Sequence, residues 1–181
     1  MVSAPSGSGK TTIAHKVLEQ NPSLRFSVSA TTRPKRSEER NGKDYFFLTK
    51  EEFRRRIDAG EFVEWEEIYG ELYGTLKSEV EKARRAGRHI VFDIDVKGGL
   101  AIKKQYPEAV LIFIRPPSME VLVKRLRERR TEDETTLVRR LERVPMEMEQ
   151  GKAFDVEVVN DDLAEAVAKV QSIVDNRVKK H

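Results

Sequence analysis

The chain has no cysteine, which excludes disulfide scaffolds, thiolate zinc sites, iron–sulfur ligation and cysteine nucleophiles together. Histidine is scarce: His15, His89 and His181 are scattered, and none has a partner at metal-ligand spacing. No apolar run approaches the length that a bilayer-spanning helix demands, so no membrane partner is expected. The N-terminus has no basic region followed by an apolar stretch, since Ser3, Ser6, Ser8 and Lys10 interrupt it, and a cytoplasmic location is expected. Nor does one sign of charge dominate. Lys and Arg number 34 against 31 Asp and Glu, a net charge of +3, which argues against a dedicated nucleic-acid binder although the pI is near 9.1. What the chain does have is charge of both signs, 36% of residues beside 38% hydrophobic, with a mean hydropathy of −0.60. That is the composition of a globular protein, and 181 residues suffice for one domain with its own core, without disulfide or metal.

The order of elements suggests strand and helix in turn. A short strand at Val2 to Ala4 is followed by a Gly-rich turn and a helix from Thr12 to Glu19; a second strand is expected at Phe26 to Ala30. Residues Thr31 to Asp44 hold five positive charges and no apolar side chain, and are expected to form a loop. A loop this long inside a domain is usually functional. Beyond it, Tyr45 to Leu48 reads as a strand, and Thr49 with Glu52 as a capping box opening a helix that stops at Gly60. Phe62 to Tyr69 alternates apolar and acidic residues, as a half-buried strand does. A helix follows from about Lys77 to Ala86. The apolar runs His89 to Ile94 and Ala109 to Ile114 read as strands of a parallel sheet covered on both faces, with a helix near Leu100 to Gln105 between them. Ser118 to Arg127 and Thr131 to Leu141 read as charged helices, and Val156 to Asn160 with a helix from Leu163 to Val174 closes the chain. The fold class is α/β: a parallel sheet flanked by helices, interrupted by two polar excursions.

The segment from Ala4 to Thr11, APSGSGKT, fits the phosphate-loop pattern GxxxxGK[ST] except that alanine replaces the first glycine. In that pattern the glycines let successive N–H groups and a helix N-terminus face anionic oxygens, while Lys10 adds a point charge and Thr11 a magnesium ligand. A carboxylate at a neighbouring strand end is needed to organise Mg²⁺, and HIVFDID supplies Asp93 and Asp95, which as residues i and i+2 on a strand share a face and can look into one crevice. Each is also a reasonable helix cap. Arg33 and Arg36, in the apolar-free loop, with Tyr45 and Tyr73, could grip a second phosphate through guanidinium forks and phenol hydroxyls.

The segments SAPSGSGKT, FSVSATTRPKR, GKDYFF, EFVEW, YGT, DIDVKG and VVNDDL, in this order and spacing, resemble those of guanylate kinases through essentially the whole chain. The resemblance implies a phosphate-loop core at about 1–30, 76–123 and 151–181, a GMP-binding insertion at about 31–75 and a helical lid at about 124–150. It implies transfer of the γ-phosphoryl group of ATP to GMP with Mg²⁺, giving ADP and GDP. ATP would be held by Ser6, Gly7, Ser8, Gly9, Lys10, Thr11 and Thr12, with Arg125 and, near the adenine, Asn160. Guanine would meet Ser29, Glu64, Thr75 and Asp95, and the acceptor phosphate Arg33, Arg36, Tyr45 and Tyr73. Thr11 and Asp93 would serve the metal. Catalysis would fall to Lys10, Arg33 and Asp93 together with the lid arginines Arg125, Arg129 and Arg140.

Two departures concern the lid. Glu128 and Arg130 stand where the family usually has glycine beside the lid arginine, and Pro145 is expected to kink or end the helix near Val144, making a hinge. Arg127, Arg139 and Arg143 read as solvated positions with i,i+4 ion pairs. Two other functions compete. One is a protein-binding scaffold domain of the same fold, against which the intact Gly9-Lys10-Thr11 speaks; the other is a phosphosugar kinase, against which the purine-suited Ser29 and Glu64 speak.

Overall fold

In the computed structural model, which describes residues 1–128 and 134–179, the chain divides into two compact units, Met1–Pro22 with Asp93–His181 and Ser23–Phe92. Both are α/β.

The first unit is built on three parallel strands in the order β1–β8–β9: β1 Val2–Ser3, β8 Ile112–Arg115 and β9 Val156–Val159. Asp93 extends this arrangement through a parallel bridge to Val2. Phe113 and Ile114 of β8 are fully buried, as the unbroken apolar run there leads one to expect of a strand covered on both faces. Helix α1, Lys10–Gln20, turns Ile13, Ala14 and Val17 inward. Helix α4 spans Val96–Gln105 and α5 Met119–Glu128, while α6 covers Glu134–Gly151 and α7 Leu163–Val178. Leu122 and Leu126 of α5 pack with Leu137 and Val144 of α6 in one apolar cluster.

Two expectations for this unit change. Helix α4 begins at Val96, four residues before Leu100, because the Asp95 side chain accepts from Gly98 N–H and caps it. Asp93 and Asp95 are therefore not a pair on one strand face: the first bridges to β1 and the second opens a helix. Helix α6 does not end near Val144 but continues through Pro145 to Gly151. Proline removes one N–H, whereas Val144, Glu147 and Gly151 are all buried, and Gly151 lies so close to the Phe113 ring that a Cβ there would stand 2.6 Å from it. Burial on both sides of Pro145 outweighs one missing hydrogen bond.

The second unit holds a parallel pair, β2 Leu24–Phe26 with β7 His89–Val91, and a four-stranded sheet in the order β4–β3–β6–β5. Its strands are β3 Ala30–Thr31, β4 Phe46–Phe47, β5 Phe62–Ile68 and β6 Glu71–Leu76. β3 pairs parallel with β4 and antiparallel with β6. Helix α2, Lys50–Asp58, is capped by Thr49, whose side chain accepts from Glu52 N–H; α3 spans Lys77–Arg85. Phe53 of α2 stacks on Phe62 with ring centroids 4.4 Å apart, over Ala30, Leu72 and Leu76.

Strand β6 is absent from the sequence reading. It pairs with β5 from Ile68↔Glu71 to Phe62↔Leu76 across the two-residue turn Tyr69-Gly70, both residues with positive φ, +56° and +80°. Such turns match the twist of the strands they join, but Tyr-Gly is not the Asn-Gly or Asp-Gly pair that announces one. The reading of Phe26 to Ala30 as one strand also gives way to two, since β2 ends at Phe26 and β3 starts at Ala30, each with a different partner.

Candidate active site

The phosphate loop leaves β1 at Ser3 and returns into α1 at Lys10, with Gly7 and Gly9 in the left-handed region at φ +91° and +87°. Both glycines are required sterically as well. A Cβ on Gly7 would lie 2.9 Å from Leu126, and one on Gly9 would collide with the Asn160 amide. The turn closes with Ser8 N–H donating to Pro5 O at 3.1 Å, and α1 begins with Ile13 N–H on Gly9 O at 3.0 Å.

Three residues of the first unit converge at this loop. Lys10 Nζ lies 2.6 Å from Asp93 Oδ1 and donates to Ile94 O at 3.0 Å, and Thr11 Oγ1 donates to Asp93 Oδ2 at 2.6 Å. One carboxylate thus receives both a cation and a hydroxyl from consecutive residues at the start of α1. Asn160, at the end of β9, is buried and donates from Nδ2 to Ser8 O at 2.8 Å, tying the loop to the sheet. Arg125 of α5 donates to the carbonyls of Asn160 at 2.9 Å and Asp161 at 3.3 Å. Arg140 of α6 donates to Ser6 Oγ at 2.8 Å. Arg129 lies outside the described residues.

Arg127 and Arg139 are exposed, as expected of a solvated helical face. Arg143 is not. Its side chain is only 17% exposed, with Nη2 3.4 Å from Asp95 Oδ2 and Nε 3.6 Å from Glu147 Oε1. The sequence offered i,i+4 spacing from Arg143 to Glu147, which reads as a surface ion pair; packing half-buries Arg143 and buries Glu147. Glu147 is itself buried, and desolvation raises its pKa, against the opposing pull of Arg143 and Lys10.

In the second unit, Glu64 of β5 stands directly opposite Thr75 of β6, so their side chains share a face, and Glu66 stands opposite Tyr73 on the same face. β3 brings Ser29 alongside, one residue before the Ala30↔Gly74 pair. The backbone of Ser29 also anchors β4, its carbonyl accepting from Phe46 N–H at 2.9 Å. The Tyr45 and Tyr73 rings meet edge to face, 6.3 Å between centroids, and the Arg33 guanidinium lies over the Tyr45 ring at 5.3 Å. Ser29, Arg33, Tyr45, Glu64, Tyr73 and Thr75 therefore belong to one sheet and its flanking loop. Asp95 belongs to the first unit, as the cap of α4.

The loop before Tyr45 is ordered by its own charges instead of by burial. Arg33 donates from Nη2 to Glu39 Oε1 at 2.6 Å and from Nη1 to Glu39 Oε2 at 3.0 Å, and Glu39 Oε2 also accepts from Arg36 N–H at 2.8 Å. Arg40 N–H donates to Asp44 Oδ2 at 2.7 Å, and Phe47 N–H to Asn41 Oδ1 at 2.9 Å. Hydrogen bonds from Arg33 hold the Glu39 carboxyl below the usual carboxylate range. Burial alone would lower the pKa of Arg33, yet the same pairing leaves it above its ordinary value. Glu39 is not marked in the sequence: it is one of three acids among five cations in an apolar-free loop, and nothing local distinguishes it from Glu38 or Asp44.

The family model described as guanylate kinase matches residues 1–177. A guanylate kinase of Symbiobacterium thermophilum is 48% identical over 174 residues, 96% of this chain and 82% of that protein. One of Thermotoga maritima is 48% identical over 174 residues, 96% of this chain and 84% of that one. The crystal structure of guanylate kinase from Anaplasma phagocytophilum superposes with a TM-score of 0.80 at 34% identity, covering 97% of this chain and 82% of that chain. With a glycine-bent phosphate loop whose lysine and threonine meet one aspartate, and with matches of this extent, the chain belongs to the guanylate kinase family.

Proposed function

We propose that the phosphate loop of the first unit holds ATP and that the β3–β6–β5 face and basic loop of the second hold GMP, so that the chain catalyses the guanylate kinase reaction, transfer of the γ-phosphoryl group of ATP to GMP with release of ADP and GDP. The observation that carries the reading is the convergence of Lys10 and Thr11 on Asp93 at the loop. Functionally, residues 31–75 are the acceptor-binding insertion and 124–150 the lid, within a cytoplasmic enzyme.

Phosphoryl transfer asks a protein mainly to align donor and acceptor and to neutralise charge on the group in motion. Backbone N–H groups of Ser6 to Thr12 and the Lys10 ammonium meet the ATP phosphates, and Arg125, Arg129 and Arg140 add positive charge from the lid. Arg140 already reaches the loop through Ser6. Asn160 supports the loop from behind and borders the adenine. On the acceptor side, Arg33 and Arg36 with the Tyr45 and Tyr73 hydroxyls receive the GMP phosphate. Guanine presents N1–H and N2–H₂ donors beside an O6 acceptor, a pattern answered by the Glu64 carboxylate with the Ser29 and Thr75 hydroxyls. Adenine would set its N1 lone pair against Glu64, leaving buried groups unpaired at about 1–3 kcal/mol each.

Thr11 and Asp93 fit Mg²⁺, because a hydroxyl and a carboxylate oxygen adjacent to the phosphate loop are hard donors of the kind it takes, with substrate phosphates and water completing its shell. The chemistry Mg²⁺ supplies when bound is neutralisation of charge on the phosphate oxygens.

A coupled assay of ADP release with ATP and each nucleoside monophosphate in turn tests the reading. GMP should be turned over far faster than AMP, CMP or UMP, and only with Mg²⁺. Equal turnover of AMP and GMP would overturn the assignment of Glu64 and Ser29.

A further inference from the structure

We infer that Glu39 is a positioning residue for the acceptor phosphate, presetting one edge of the Arg33 guanidinium; this rests on the reading that Arg33 receives that phosphate. A guanidinium carries five N–H donors in a plane, two on each Nη and one on Nε. In this structure three are committed: Nη1 donates to Glu39 Oε2 at 3.0 Å and to Pro34 O at 2.8 Å, and Nη2 donates to Glu39 Oε1 at 2.6 Å. Left over are the second Nη2–H and the Nε–H, which lie side by side and form a second two-donor fork, the shape that takes two phosphate oxygens.

The plane of that fork is held from a second direction, since the guanidinium lies 5.3 Å from the Tyr45 ring centroid and 5.8 Å from that of Phe47. Cation–π contact with two rings and a bidentate carboxylate together leave the group little rotational freedom. The same carboxylate accepts from Arg36 N–H, so one side chain fixes the guanidinium of Arg33 and the backbone of Arg36. Without Glu39, the exposed loop would have to order two arginines at the moment of binding, and that entropy would be taken from the affinity for the phosphate. The effect is confined to the part of the acceptor that carries charge.

Calorimetric titration with GMP and with guanosine, which lacks the phosphate, separates this from a general role in folding. Glu39→Ala should weaken GMP binding by about tenfold, the scale of one charge-assisted contact, while the Kd of guanosine and the KM of ATP stay as in the wild type. Glu39→Gln, which keeps one acceptor oxygen and loses the other, should fall between. In an Arg33→Ala background, Glu39→Ala should cost much less further affinity for GMP, the remainder being its hold on Arg36 N–H. An equal loss for guanosine and GMP, or a full loss in the Arg33→Ala background, would show that Glu39 only holds the loop together. Tighter GMP binding by Glu39→Ala would show that the carboxylate competes with the phosphate, and would equally overturn the proposal. If Arg33→Ala alone leaves the ratio of guanosine to GMP affinity unchanged, the assignment of Arg33 fails instead, and it is recognised as such.

Discussion

Lys10 sits 2.6 Å from Asp93 with its side chain 22% exposed, close enough to be oriented and open enough to meet a phosphate. Its charge is worth most as negative charge builds on the transferred group, so Lys10→Ala should lower kcat by about 10²–10³-fold with little change in Tm. Wild-type kcat in that variant would make the loop decorative. Glu64→Gln swaps an acceptor-only group for an amide of nearly equal size. It should raise the KM for GMP by about tenfold and that for AMP by less, and unchanged GMP kinetics would return Glu64 to surface charge. Glu147 behaves differently, because burial outweighs Arg143 and Lys10 and raises its pKa above the ordinary 4.5. A raised folded pKa means that the native state binds the proton more tightly than the unfolded chain. Its contribution is therefore full below about pH 4.5 and is lost as pH rises through the folded value. The Tm of the wild type minus that of Glu147→Gln should fall as pH rises above about 4.5; a difference that stays flat or grows contradicts the assignment.

At the scale of elements, the β5–β6 hairpin decides where the pair proposed to recognise the base can lie. Glu64 meets Thr75 across the ladder, and Gly74 beside it leaves no room for a side chain: a Cβ would stand 2.8 Å from the Phe62 ring and 2.9 Å from Glu64 O. Gly74→Ala should therefore push the strands apart, costing about 1–3 kcal/mol of stability and raising the KM for GMP, measured by urea unfolding and steady-state kinetics. Stability and KM both at wild-type values would mean that the hairpin tolerates the shift. Helix α6 shows the other kind of element effect. Its three- and four-residue spacing brings Arg140 to Ser6, Arg143 to Asp95 and Glu147 into the interior, so these three side chains share one face of the helix.

For the molecule as a whole, the residues proposed for ATP, from Ser6 to Thr12 with Asp93, Arg125, Arg140 and Asn160, fall in one unit, and those proposed for GMP from Ser29 to Thr75 fall in the other. Binding protects the amides of the unit it orders. Hydrogen exchange should thus slow within residues 29–75 when GMP is added and within the phosphate loop and α1 when ATP is added. Protection by GMP confined to the phosphate loop would contradict the division.

The residues themselves determined the phosphate loop, because glycines at fixed spacing before Lys-Thr have one common use, and they determined the buried strand β8, because an unbroken apolar run cannot face water. The capping box of α2 was equally legible, being a local hydrogen bond between Thr49 and Glu52. The partners of Asp95, Arg143, Glu147 and Glu39 were not, since each is chosen by something remote from its own pattern. Asp95 caps a helix where strand was expected, the packing of α6 buries Glu147 and half-buries Arg143, and Glu39 is selected by the fold of a loop with no periodicity to read. Strand β6 was hidden for the same reason: pairing energy lies in the register with β5 and β3, which no single segment carries. Local chemistry is written in adjacent residues, whereas burial and ion-pair choice are properties of distance in space, and only the tertiary structure supplies that distance.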